Sequence, residues 1–188
     1  MSDGAAEYLE SALEAEADAY RLLLAGSSAL DRLTTARDAY LASHARTGQS
    51  SWGRLLGALK MAILAGSGVA PIVSRALEET AGVATPAAQY VRALAEVADG
   101  RSPDVGLMTD AGGAFARTGR ALEALAGGDA DAYAHALAEI LADFESRGAF
   151  LTGVAAADTV MVLEALAQER GIAVGPTSAL VPRPPSGG

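Results

Sequence analysis

The chain has 188 residues, a net charge of −9 and no cysteine. That length can bury a full core without covalent staples, the missing cysteines exclude disulfides, thiolate metal sites and a cysteine nucleophile, and the acidic balance argues against nucleic acid and anionic membrane surfaces as partners. Hydrophobic residues make up 51% of the chain and aromatics only 5%, an alanine-led composition that favours helices.

The opening MSDGAAEYLESALEAE has neither a basic segment nor an apolar one. No secretory signal is read there, and a cytoplasmic location is expected. Leu9, Leu13, Ala17, Tyr20 and Leu24 recur at helical spacing. They predict a first helix from Gly4 to Ala25, with Asp3 as its cap and Gly26 as its stop. Glu7, Glu10, Glu14 and Asp18 fall on the other face and read as solvated. A second helix follows from Ser28 to about Arg46, with Leu30, Leu33, Ala36, Tyr40 and Leu41 as its apolar side. TGQSS reads as a loop, and Ser51 as the cap of a third helix carrying Trp52, Leu55, Leu56, Leu59 and Ile63 on one face. Gly53 and Gly57 stand one turn apart, a spacing that favours close backbone approach.

The run Arg54 to Val73, RLLGALKMAILAGSGVAPIV, holds the best candidate for a membrane span, Leu55 to Val73, which is about long enough. Lys60 near its centre, the Gly66-Ser67-Gly68 break and Pro71 argue against one. The run is read instead as two packed helices, the second from about Val69 to Ala81, with Pro71 tolerated in its first turn. A fifth helix is expected from Ala87 to Asp99. The irregular stretch GRSPDVGLMTDAGG has room for one short helical turn. A sixth helix is expected from Ala114 to Ala126. The seventh starts at the Asp129 cap and reaches about Arg147, with Tyr133, Leu137, Ile140, Leu141 and Phe144 as its stripe. The eighth is expected from Leu151 to Arg170, stopped by Gly171.

No strand-like alternation occurs. The expectation is an all-α fold of about eight helices, stacked as antiparallel hairpins with an irregular tetratricopeptide-like grammar. One helical domain would cover 1–175. A Pro- and Gly-rich tail would cover 176–188, its last residues disordered.

Chemistry is sparse. Asp131, His135 and Glu139 line up on one helix face, but that face is polar and reads as solvated. His-x3-His and Glu-x-x-His pairs are absent, which weakens a zinc or di-iron reading. No Gly-x-Ser-x-Gly elbow and no phosphate loop is present. No catalytic residue, cofactor or metal is assigned. Two charges stand out. Lys60 lies between Leu56 and Leu64, and Asp158 between Val154 and Val162. A buried charge is costly alone. Lys60 either snorkels to water along its stem, or meets an acid, or serves an internal polar pocket. Asp158 is expected to pair with Lys60 or Arg54. In DFESRGAF, Phe144 and Phe150 frame Glu145 and Arg147, read as a helix end with local ion pairs or as a polar patch for a partner.

The segment from about 119 to 182 resembles the closing pattern of the Imm49-type immunity proteins. The matching residues are Gly128 and Asp129 between two helices, then Leu166, Ala167, Arg170 and Gly171, then Ser178 and Pro182. The resemblance implies an all-helical protein that binds and neutralises a partner toxin. Acidic charge, the absent catalytic constellation and the hairpin architecture make a non-enzymatic module that binds another protein the leading functional expectation. The rival class is a small-molecule-binding bundle or an enzyme with an internal polar site around Asp158 and Lys60. Concavity separates the two. A closed apolar pocket holding Asp158 or Lys60 favours a ligand, and an exposed apolar or acidic groove favours a partner.

Overall fold

The structure is a computed structural model that describes residues 3–47 and 51–182. Among these residues it forms nine helices and no strand. They are α1 (Asp3–Leu24), α2 (Leu30–Thr47), α3 (Trp52–Ala65), α4 (Val69–Thr80), α5 (Pro86–Ala98), α6 (Gly106–Ala111), α7 (Gly113–Gly127), α8 (Ala130–Glu145) and α9 (Asp158–Arg170). The all-α expectation holds, and the short turn allowed in the irregular stretch is α6. The expected loop at TGQSS falls mostly outside the described residues, as does the expected disorder at the end of the tail.

Consecutive helices pack on one another as hairpins, α1 on α2, α2 on α3, α4 on α5 and α7 on α8. The third helix also meets α4, α5 and α9. Its sequence explains that central place. From Leu55 to Ile63 it carries apolar residues on every face, and nearly all of them are buried. A helix apolar all round must be covered all round. No helix is long and apolar enough to cross a membrane among the described residues, because Gly66, in the left-handed conformation at φ 62°, ends α3 after Ala65.

One close approach between α2 and α3 rests on glycine. At Gly57 a Cβ would lie 2.8 Å from Cε2 and Cζ of Tyr40, so α2 and α3 can touch only with a hydrogen there. Gly53, one turn earlier, faces open space. The predicted pair of glycines therefore has one contact member.

The first helix departs from its expected register. Of its expected stripe Ala17 and Tyr20 are buried, and Leu9, Leu13 and Leu24 are only partly covered; Ala5, Ala12, Ala15, Glu16 and Ala19 complete the buried face. Small side chains bring α1 close to α2 and leave the leucines at the margin. The eighth predicted helix is also shorter than expected. Residues 151–157 are not helical, with Gly153 at φ 70°, and the helix starts at Asp158. The tail is docked as far as it is described. Leu180 accepts the Ala157 N–H at 2.8 Å, and Val181 is buried.

Candidate functional site

Lys60 and Asp158 meet. The Lys60 Nζ donates to Asp158 Oδ2 at 2.6 Å and to Thr159 Oγ1 at 3.1 Å. The lysine is 8% exposed, so it does not snorkel to water; an acid reaches it instead. Asp158 is not in the middle of a helix as the pattern suggested. It is the first residue of α9, where unpaired N–H groups and the helix dipole favour a carboxylate. Burial pushes the Lys60 pKa down, but the charge of Asp158 and its hydrogen bond, with Tyr90 and Glu16 adding to them, outweigh burial and hold it above the usual lysine value. Lys60 is therefore a cation. The Tyr90 ring lies 5.6 Å from its Nζ, which adds a cation–π contact.

A second polar cluster adjoins this pair. Glu16, 6% exposed, accepts the Tyr20 hydroxyl on Oε1 at 2.5 Å and the Tyr40 hydroxyl on Oε2. Burial raises its carboxyl pKa above the usual range, and the two tyrosine hydrogen bonds only partly offset that. Burial likewise raises both tyrosines, with the charges of Asp158 and Glu16 adding to the effect. Sequence reasoning missed Glu16. The signal was available: position 16 shares a face with Ala12 and Ala19, so it is a carboxylate among alanines.

Both clusters line one cavity of about 310 Å³. Its wall also carries two aromatic pairs. Tyr90 and Phe115 meet edge to face at 6.4 Å, and Phe144 and Phe150 stack at 6.5 Å. Arg117 and Arg147 line it too, both donating to Asp143. The Arg147 guanidinium lies 3.7 Å from the Phe144 ring centroid. The non-helical residues 151–157 form part of the wall through Leu151, Thr152, Val154 and Ala156. Leu151, 84% exposed, stands at the lip.

The other candidates scatter. Arg54 does not reach Asp158. It lines a shallower cleft along α1 with Leu9, Leu13 and Leu151, and its Nε is buried with no hydrogen-bond partner among the described residues. Glu145 is exposed and accepts the Ser178 hydroxyl at 2.8 Å, outside the cavity. Arg147 pairs with Asp143 rather than Glu145. His135 is 81% exposed beside Glu139, at 3.5 Å, on the solvated face read from the sequence. Among the described residues no group of three or more His, Asp and Glu gathers in a way that could hold a metal ion.

Two buried networks were not foreseen. His44, 1% exposed, joins α2 to α4 by Nε2 to Glu79 Oε2 at 2.7 Å, while its Nδ1 meets Ser51 Oγ at 2.8 Å. Burial pushes the Glu79 carboxyl up, but hydrogen bonds from Arg75 and His44 and their charges more than reverse that, and its pKa lies below the usual range. Glu164 accepts the Tyr133 hydroxyl at 2.8 Å and the N–H groups of Val174 and Gly175, which pins the tail to α9. These networks are structural. They lie apart from the cavity lining.

The chain matches no family model, no curated protein and no solved structure. The site therefore has to be read from its own chemistry.

Proposed function

We propose that the protein binds a small organic molecule in the cavity at Lys60 and Asp158. The observation that carries this reading is the cavity itself. Its size lies at the lower end of the range of about 300–1,000 Å³ typical of ligand pockets. Its walls are aromatic and aliphatic, and its polar groups are held in place by one another. Lys60 is fixed by Asp158 and Thr159, and Glu16 by two tyrosines. Such groups orient a ligand without having to be ordered by it, which lowers the entropic cost of binding.

A screen of small fragments against methyl-labelled protein tests the proposal. Hits are expected to shift Ile140 and Val154, two methyl-bearing residues of the wall. Ala114→Phe, an exposed wall position, is expected to plug the cavity and abolish those shifts. Fragments that shift neither residue, or that bind the plugged variant equally well, contradict it.

A second reading, a protein partner, draws on the cleft along α1. Its floor of Leu9, Leu13 and Ala17 is edged by Glu10, Glu14 and Asp18. A toxin bound by an immunity-type protein would use such a face. The cavity is the stronger ground because Lys60 and Glu16 are buried and bonded in its wall, whereas the cleft is shallow and Glu10 and Glu14 are open to water.

A further inference from the structure

We infer that the ligand of this cavity is a small monocarboxylate with a flat apolar body of one or two rings. The inference rests on the proposed ligand site and gives that ligand a charge and a shape.

The charge follows from how the cavity's ions are shared. Lys60 and Asp158 neutralise each other at 2.6 Å. Asp143 serves two guanidiniums at once, Arg117 on Oδ1 and Arg147 on Oδ2. The two arginines share one carboxylate by hydrogen bond, and Glu139 near Arg117 is paired to Arg120, so the positive charge at Arg117 and Arg147 is a local excess in a lining of three basic and three acidic side chains. That surplus stands out in a chain whose net charge is −9. The guanidiniums also keep donors in reserve. Among the described residues Arg117 uses only Nη2, and Arg147 only Nε and Nη2. A guanidinium with free N–H groups suits a carboxylate, which it can grip with two parallel hydrogen bonds. The remaining acid, Glu16, has both oxygens engaged by tyrosine hydroxyls, and its burial disfavours the charged form that a ligand cation would need.

The shape follows from the rings. Phe144 stacks on Phe150 beside Arg147, and Phe115 meets Tyr90 edge-on beside Arg117's helix. Aromatic walls favour a flat partner that can stack or meet an edge. The volume of about 310 Å³ limits that partner to a few rings.

The test uses the full chain and three probes of one shape: 2-naphthoate, 2-naphthalenemethanol and 2-naphthylmethylammonium, each titrated by calorimetry. Naphthoate is expected to bind about tenfold tighter than the alcohol or more, with the ammonium weakest. In the double variant Arg117→Gln with Arg147→Gln, the preference for naphthoate over the alcohol is expected to vanish, while Arg147→Lys alone retains it. Equal binding of acid and alcohol, or tighter binding of the ammonium, overturns the charge assignment and leaves the ligand site standing. Failure of all three probes to bind overturns the assigned charge and shape, and the fragment screen on native and plugged protein decides the site separately. The probe series needs no variant, so a folding defect in the double variant cannot shield the inference.

Discussion

Lys60 and Asp158, 98 positions apart in the chain, meet at 2.6 Å between the central helix and the first residue of α9. The two partners are not equally dependent on each other. Lys60 is nearly sealed from water, whereas Asp158 keeps about a quarter of its side chain exposed and sits on a helix N-terminus.

That asymmetry predicts unequal costs. Removing one partner of a fully buried pair costs about 3–5 kcal/mol. Asp158→Asn strands a sealed ammonium and is expected to cost about 2–4 kcal/mol. Lys60→Met leaves a carboxylate that water and the α9 dipole still stabilise, and should cost about 1 kcal/mol. Urea unfolding of both variants measures the difference. Costs below about 0.5 kcal/mol for both, the level of neutral surface changes, contradict a buried pair.

Gly57→Ala places a methyl group 2.8 Å from the Tyr40 ring. The ring must move, and with it the hydroxyl that serves Glu16. Overpacking of this kind costs about 1–3 kcal/mol. Gly53→Ala meets open space and should stabilise by about 0.4–1 kcal/mol through the unfolded chain. Thermal melts of the two variants should move in opposite directions, and a shared direction counts against the close approach.

Glu16 and Glu79 should respond to pH with opposite signs. Burial raises the folded-state pKa of Glu16, so the folded protein holds that proton more tightly than the unfolded chain. Its contribution is fully present below the unfolded value near 4.5 and is lost as pH rises through the raised value. Glu16→Gln keeps the neutral form at every pH. Its stability relative to the native protein should therefore improve as pH rises from 4.5 through that raised value. A relative loss over that window contradicts the assignment.

Glu79 has a lowered folded-state pKa, and its contribution is present above the unfolded value and lost as pH falls through the lowered one. Glu79→Gln weakens the hydrogen bonds from Arg75 and His44. Bonds to a charged group are worth about 1.5–3 kcal/mol. A deficit of that order is expected at neutral pH, shrinking toward acid. A deficit that grows on acidification would show that the carboxylate is not what the network holds.

Most of the helical order was legible because alanine, helical spacing and glycine stops act locally. Asp129 caps α8, accepting the Ala132 N–H at 3.0 Å, and the Tyr133–Phe144 stripe is buried as its spacing implied. Residues 151–157 misled because Leu, Val and Ala there look helical; their backbone is set instead by Gly153 and by the tail, whose Leu180 takes the Ala157 N–H. Lys60 and Asp158 were visible as charges in apolar surroundings. Glu16 showed only as a carboxylate among Ala12 and Ala19, and Tyr40, one of its two partners, comes from another helix; His44 follows Tyr40 and Leu41 by one turn, and its partner Glu79 comes from α4. The cavity itself depends on how α1, α3, α5, α7, α8, the segment 147–156 and the start of α9 converge, and no local pattern encodes that.

The most direct measurement is a crystallographic fragment soak of the full chain, read as electron density. Density is expected inside the cavity, with an acidic fragment's carboxylate on Arg117 or Arg147 and its ring against Phe144 or Phe115. Fragments confined to the cleft along α1 or to the outer surface, with the cavity holding only solvent, would contradict it.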